Sequence, residues 1–234
     1  MKRNYRLFRG LTAILTMGLA VLQIQAQSFK SGSFNLSLSG GSTTANFSTK
    51  NLGTDGTQGS QVNMEGIRDP LMLEYGISNH IGIGISTGTD IFKVDPSKFY
   101  GFSLPSQKPI EMYTSELNFD FNYHIYSNDR FDFSTFTSIG AFSVYTNGVE
   151  KLQRNDENLS DDFFTYNYRA KGRIVRTGTR AKFYVWRRVG FMSMLSVYSG
   201  MASPKRVSGN TVGNNYTTRI TGYATEFGIC FKLR

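Results

Sequence analysis

Few side chains in this sequence could move protons, attack a carbonyl or hold a metal. There are two histidines, His80 and His124, and one cysteine, Cys230. A metal centre needs three or four convergent His, Cys or carboxylate ligands, and these three residues make no such constellation. A single cysteine also excludes an internal disulfide framework and any paired-cysteine zinc site. A catalytic base needs a nucleophile and an orienting partner within hydrogen-bond reach. His80 lies in the turn-forming stretch Ser78-Asn79-His80, and His124 lies among inward carboxylates, where it reads as a hydrogen-bonded interior residue. The expectation is no catalytic residue, no metal and no cofactor. The Gly/Asn-rich stretches NLGTDGTQG and SGNTVGNNY lack the spacing of a phosphate-binding loop.

Charges embedded in alternating segments are the remaining chemistry. Leu117, Phe119, Phe121, Tyr123 and Ile125 fall on one face of a strand, against Glu116, Asn118, Asp120, Asn122 and His124 on the other. Tyr223, Thr225, Phe227, Ile229, Phe231 and Leu233 likewise oppose Gly222, Ala224, Glu226, Gly228, Cys230 and Lys232. Leu71, Leu73, Tyr75 and Ile77 oppose Met72, Glu74 and Gly76, while Thr179, Ala181, Phe183 and Val185 oppose Arg180, Lys182 and Tyr184. Period-2 patterning predicts strands over about 29–40, 67–77, 81–92, 111–126, 131–146, 166–186, 189–200 and 217–233. Short turns at Ser78-Asn79-His80, Ser127-Asn128-Asp129-Arg130 and Arg187-Arg188 alternate with long polar connections near 41–66, 93–110, 147–165 and 201–216. That is an up-and-down meander whose two ends face different surroundings.

The N-terminus sets the compartment. Lys2, Arg3, Arg6 and Arg9 precede an apolar core from Leu11 to Leu22, and Ala26 offers a small residue for cleavage. This pattern is a secretory signal peptide over residues 1–26, with the domain at 27–234. Those four cations leave with it, so a formal charge of +9 falls to +5. A nucleic-acid partner is therefore not expected. Charged residues are only 18% and aromatics 14%, and mean hydropathy is −0.29. Disorder and a helical membrane protein both conflict with those values.

Which face meets water decides between a soluble barrel and a membrane one. The apolar face is dense in Phe, Tyr, Ile and Leu. The other carries Gly, Ala and isolated charges of both signs, not the Lys/Glu arrays of a solvated surface. Apolar-out, polar-in strands joined by short turns at one end and long loops at the other describe a transmembrane β-barrel. The fold class expected is all-β: an eight-stranded antiparallel up-and-down transmembrane β-barrel. The signal peptide, the LEYGISNHIGIGIS hairpin and the terminal GYATEFGICFKLR resemble the small outer-membrane barrels of the OmpA/OmpX-like superfamily. The resemblance implies the outer membrane of a Gram-negative bacterium and delivery to the barrel-assembly machinery through the last strand. Arg234 after Leu233 departs from the aromatic terminus often found there, and a peptidoglycan-binding domain is not expected.

An eight-stranded barrel is just wide enough for side chains to fill. Glu74, Glu116, Asp120 and Glu226 are expected inward with Arg180 and Lys182, paired because charges away from water need partners. Glu116 is the first partner expected for Arg180. The network reads as a structural plug rather than a gated ion path. Cys230 reads as a small filler. Arg169, Lys171 and Arg173 share the outward parity nearer the long loops, where they could contact lipopolysaccharide phosphates. The function expected is a structural or surface-interaction role through extracellular loops, with no enzymatic activity. A narrow channel or transporter for small or apolar solutes is the alternative. A lipid-modifying enzyme is disfavoured, because neither histidine lies toward the outer leaflet. Lipid and lipopolysaccharide are the expected surroundings; the residues name no loop ligand.

Overall fold

The computed structural model describes residues 29–51, 61–94, 110–151, 163–166, 169–204 and 216–233. The expected signal peptide and the loop segments NLGTDGTQG and SGNTVGNNY fall wholly or largely outside these residues.

Ten strands make up the described chain: β1 (Phe34–Asn51), β2 (Gln61–Arg68), β3 (Leu71–Gly76), β4 (Ile81–Val94), β5 (Ile110–Ser127), β6 (Phe131–Lys151), β7 (Phe163–Tyr166), β8 (Arg169–Tyr184), β9 (Val189–Pro204) and β10 (Tyr216–Lys232). Every pairing is antiparallel. β2 and β3 are two halves of one stave, since each pairs with both β1 and β4. Pro70 sits at the break, where a residue without an N–H cannot continue the ladder. β7 pairs only with the outer end of β6. Eight staves remain, and β10 pairs with β1 along its length, from Asn35↔Lys232 to Asn51↔Tyr216. The ring of eight staves is closed: an eight-stranded up-and-down barrel, in which each stave is paired on both sides.

The staves run further toward the long connections than alternation alone indicates. The expected first loop, 41–66, is largely strand: β1 continues to Asn51 and β2 begins at Gln61. Gly41, Ser42, Thr43 and Thr44 look like loop by composition, yet they lie in the β1–β10 ladder. A Cβ on Gly41 would collide with the backbone carbonyl of Thr225. The small residue there permits close strand approach and does not signal a turn.

Outside, the barrel is apolar. Leu117, Phe119, Phe121, Ile139, Phe183, Phe191, Leu195, Val197 and Phe227 are all exposed, Phe227 at 65%. A soluble monomer rarely exposes more than a few hundred Å² of contiguous apolar surface, whereas this belt girdles the barrel. A one-residue irregularity between His124 and Tyr126 turns both Ile125 and Tyr126 outward at the short-turn end. Inside, the outer third is filled by Phe47, Phe92, Met112, Val144 and Ile220, all essentially without exposure.

Candidate functional site

Below the apolar zone the lumen carries two ion clusters. Arg68, at the inner end of β2, is the hub of the upper one. Its Nη1 donates to Asp90 Oδ1 at 3.0 Å and its Nε to Glu226 Oε1 at 2.9 Å, while Nη2 donates to Glu116. One guanidinium thereby ties β2 to β4, β5 and β10. Arg176 of β8 reaches the other oxygen of Glu116 at 3.3 Å, lies 4.4 Å over the Tyr198 ring, and donates to Ser196 at 3.0 Å. Thr114 donates to Asp90 at 2.7 Å and Ser39 to Glu226 at 3.1 Å. Glycine at 88 makes this geometry possible, because a Cβ there would sit 2.9 Å from Arg68 Nη2.

The lower cluster lies nearer the short turns. Lys182 donates to Glu74 Oε2 at 2.8 Å and stands 3.6 Å from Asp132. His124 faces Asp132 through Nδ1 at 2.6 Å and Glu74 through Nε2 at 2.9 Å. Phe29 stacks on the His124 ring with centroids 3.4 Å apart and planes at 14°. It is held there by a tight turn in which Gly32 has φ +82°, a conformation that favours glycine, and donates to the Gly76 carbonyl at 2.8 Å. This turn buries Phe29 against His124 at the short-turn end of the barrel.

All six residues expected in the lumen are buried, but their pairing differs from the expectation. Arg180 does not reach Glu116. It sits 3.8 Å from Glu74, donates to Met72 Sδ at 3.1 Å and lies 5.0 Å over Phe136. The ladder explains why: Arg180 is opposite Ser134 and Met194, well below the level of Glu116, which is opposite Gly88 and Phe142. Asp120 makes no ion pair among the described residues and instead accepts from Ser86 at 2.9 Å. Beside it, neither polar atom of the buried Asn118 amide has a hydrogen-bond partner among the described residues. Between the clusters, Asp120, Asn118 and Ser86 form a buried polar stretch with no ion pair among the described residues.

Sequence reasoning missed Arg68, Asp90, Asp132 and Arg176. Parity carried through Pro70 would have placed Arg68 inward with Met72 and Glu74. Parity carried past Thr177 would have placed Arg176 inward with Arg180. Asp90 continues the inward run Gly82, Gly84, Ser86 and Gly88. Asp132 is inward at the start of β6.

Both ring nitrogens of His124 are taken by carboxylates, and the ring is fully buried under Phe29. Ser134, its register partner on β6, therefore has no imidazole nitrogen available to activate it. Cys230 is buried in the small apolar cluster with Met72, Phe136, Tyr184, Met192 and Met194. On the outer wall, Lys171 and Arg173 are exposed on β8. Arg169 is the first residue of that strand, opposite Tyr145.

No family model and no curated protein matches the chain. Solved structures of outer-membrane proteins align with it at low identity. OprG of Pseudomonas aeruginosa aligns at 13% identity over 87% of this chain and 96% of its own, with a TM-score of 0.47. The outer-membrane protease OmpT of Escherichia coli aligns at 10% identity over 86% and 96%, with a TM-score of 0.48. Ail, the attachment invasion locus protein of Yersinia pestis, aligns at 12% identity over 86% and 99%, with a TM-score of 0.39. The closed ring and the apolar belt themselves carry the assignment, because a closed barrel is the only β architecture that leaves no backbone group unpaired in lipid. The chain is an outer-membrane β-barrel.

Proposed function

We propose that this outer-membrane barrel is a closed, non-conducting and non-catalytic structural element that acts at the cell surface through its outer loops and lipid-facing wall. The observation carrying this reading is the Arg68 hub, which bars the lumen by joining β2 to carboxylates on β4, β5 and β10. The layers above and below support it: Phe47, Phe92 and Met112 toward the long connections, and Phe29 over His124 at the other end. A hydrated path would require these buried charges to exchange partners they cannot lose cheaply. Lack of a free imidazole nitrogen at His124 favours the non-enzymatic reading. Delivery by the barrel-assembly machinery fits the alternating apolar last strand, β10.

Planar-bilayer recording of the refolded barrel is the test. No stable open level is expected across the physiological range of potentials. A reproducible ohmic level would overturn the closed-lumen reading and favour the transport alternative. Overexpression should also leave the lipid A mass spectrum unchanged; a new modification would make the protein an enzyme.

A further inference from the structure

The outer wall formed by β8, β9 and β10 ends in cations. Arg173, Met201 and Arg219 are register partners in one row across these strands, and all three are exposed. Lys171, two positions further out on β8 and opposite Ser203, is exposed as well. Ten residues toward the short turns, Phe183, Phe191 and Ile229 make a second exposed row on the same three strands. Ten residues rising about 3.3 Å each, on strands tilted about 40°, span roughly 25 Å along the barrel axis. That is the height of the apolar band of an outer-membrane barrel. Every outward position between the rows is uncharged, among them Val175, Leu195, Val197 and Tyr223. The cations are therefore the first charged groups outside the hydrocarbon layer, at headgroup depth on the side of the long connections.

The ladder neighbours of Lys171, Arg173 and Arg219 are Ala141, Ser143, Ser203, Met201 and Ser48, and among the described residues none of the three cations has an acidic partner. The opposite wall differs: there Glu65, Lys93 and Glu111 alternate in sign across one outward row of β2, β4 and β5. Arg173 and Arg219 are two strands apart, about 10 Å. Two guanidinium forks and an ammonium at that spacing suit several phosphate oxygens, since guanidinium binds phosphate bidentately.

We propose that Lys171, Arg173 and Arg219 form a binding site for the phosphate groups of a phosphorylated glycolipid in the outer leaflet. The site rests on the reading of the apolar wall as lipid-facing and extends it to one lipid class. It anchors the barrel's depth and orientation from the outside.

The test uses the full mature barrel folded in detergent, titrated with purified lipopolysaccharide, with the same glycolipid after enzymatic dephosphorylation, and with inorganic phosphate. The variant Lys171→Ala/Arg173→Ala/Arg219→Ala should bind lipopolysaccharide roughly 100-fold more weakly, about fivefold for each cation near an anionic surface. Lys93→Ala, on the compensated wall, should change affinity less than about twofold. Dephosphorylated glycolipid should bind the parent barrel as weakly as intact glycolipid binds the triple variant. Unchanged affinity in the triple variant, or an equal loss in Lys93→Ala, overturns the site. Competition by inorganic phosphate at matched concentration would make it a site for free phosphate and overturn the lipid assignment. Heat-modifiable gel migration verifies folding of each variant. Where the triple variant does not fold, Arg219→Gln alone must show the fivefold loss for the proposal to stand. Conductance of the same preparations reports separately on whether the lumen is closed.

Discussion

Replacing Arg68 by Met removes the one group that contacts three lumenal carboxylates. Asp90, Glu116 and Glu226 then lose contacts of 3.0 Å, a very short one, and 2.9 Å respectively. Among the described residues each keeps one side-chain hydrogen bond: from Thr114 to Asp90, from Arg176 to Glu116 and from Ser39 to Glu226. Removing one member of a buried ion pair typically destabilises by about 3–5 kcal/mol, because the remaining charge is uncompensated. The retained partners keep the expected loss within that range and prevent it from tripling. For a domain of this size, 3–5 kcal/mol lowers the unfolding midpoint by roughly 10 °C. Arg68→Lys should fall between, since an ammonium keeps the charge but cannot present a planar fork to three acceptors. The measurement is urea unfolding of the folded barrel, followed by tryptophan fluorescence and heat-modifiable migration. Adding Glu226→Gln to Arg68→Met should recover part of the loss, because it removes one of the stranded charges. A loss below about 1 kcal/mol for Arg68→Met, or strict additivity with Glu226→Gln, would refute the hub.

Phe121 is exposed on β5 between Ile83 and Thr137, so Phe121→Arg should destabilise the inserted barrel by about 2–4 kcal/mol near the bilayer midplane. Equal stability in lipid would mean that this face does not meet hydrocarbon. The neighbouring Asn122 is 1% exposed and lies opposite Gly82 and Phe136. Asn122→Arg should therefore block assembly by overpacking, where an open lumen would accept it. Cys230, the only thiol in the chain and fully buried, should resist maleimide labelling in the folded barrel and react at once in urea. Fast labelling of folded protein would show that the lumen admits solvent.

The folded barrel was legible along the chain because its physics is periodic. A strand with lipid on one side and a packed lumen on the other must alternate, and Leu117 to Ile125 or Tyr223 to Leu233 do so without interruption. Closure of the ring needs an even stave count with both ends on one side, which the alternation of short and long connections already required. The inward set Glu74, Glu116, Asp120, Arg180, Lys182 and Glu226 followed from parity alone, since facing depends only on odd or even position.

Partner choice was not legible, because it depends on height along the barrel axis, and height is set by ladder register between strands distant in sequence. Arg180 and Glu116 share the lumen, but the β5–β6–β8 register puts Arg180 in the row of Ser134 and His124, well below Glu116; there it stands 3.8 Å from Glu74, and Arg68 meets Glu116 instead. Strand length near 41–51 was equally hidden. Gly41, Ser42 and Thr43 have turn-like composition, and only seventeen paired positions between β1 and β10 hold the stretch extended. The cationic row of Arg173 and Arg219 has the same origin: forty-six residues separate the two in the chain, and the β8–β9–β10 ladder alone brings them to one height on one wall. Amino-acid order determined which side each residue faces. The closed hydrogen-bonded ring decided what it meets there.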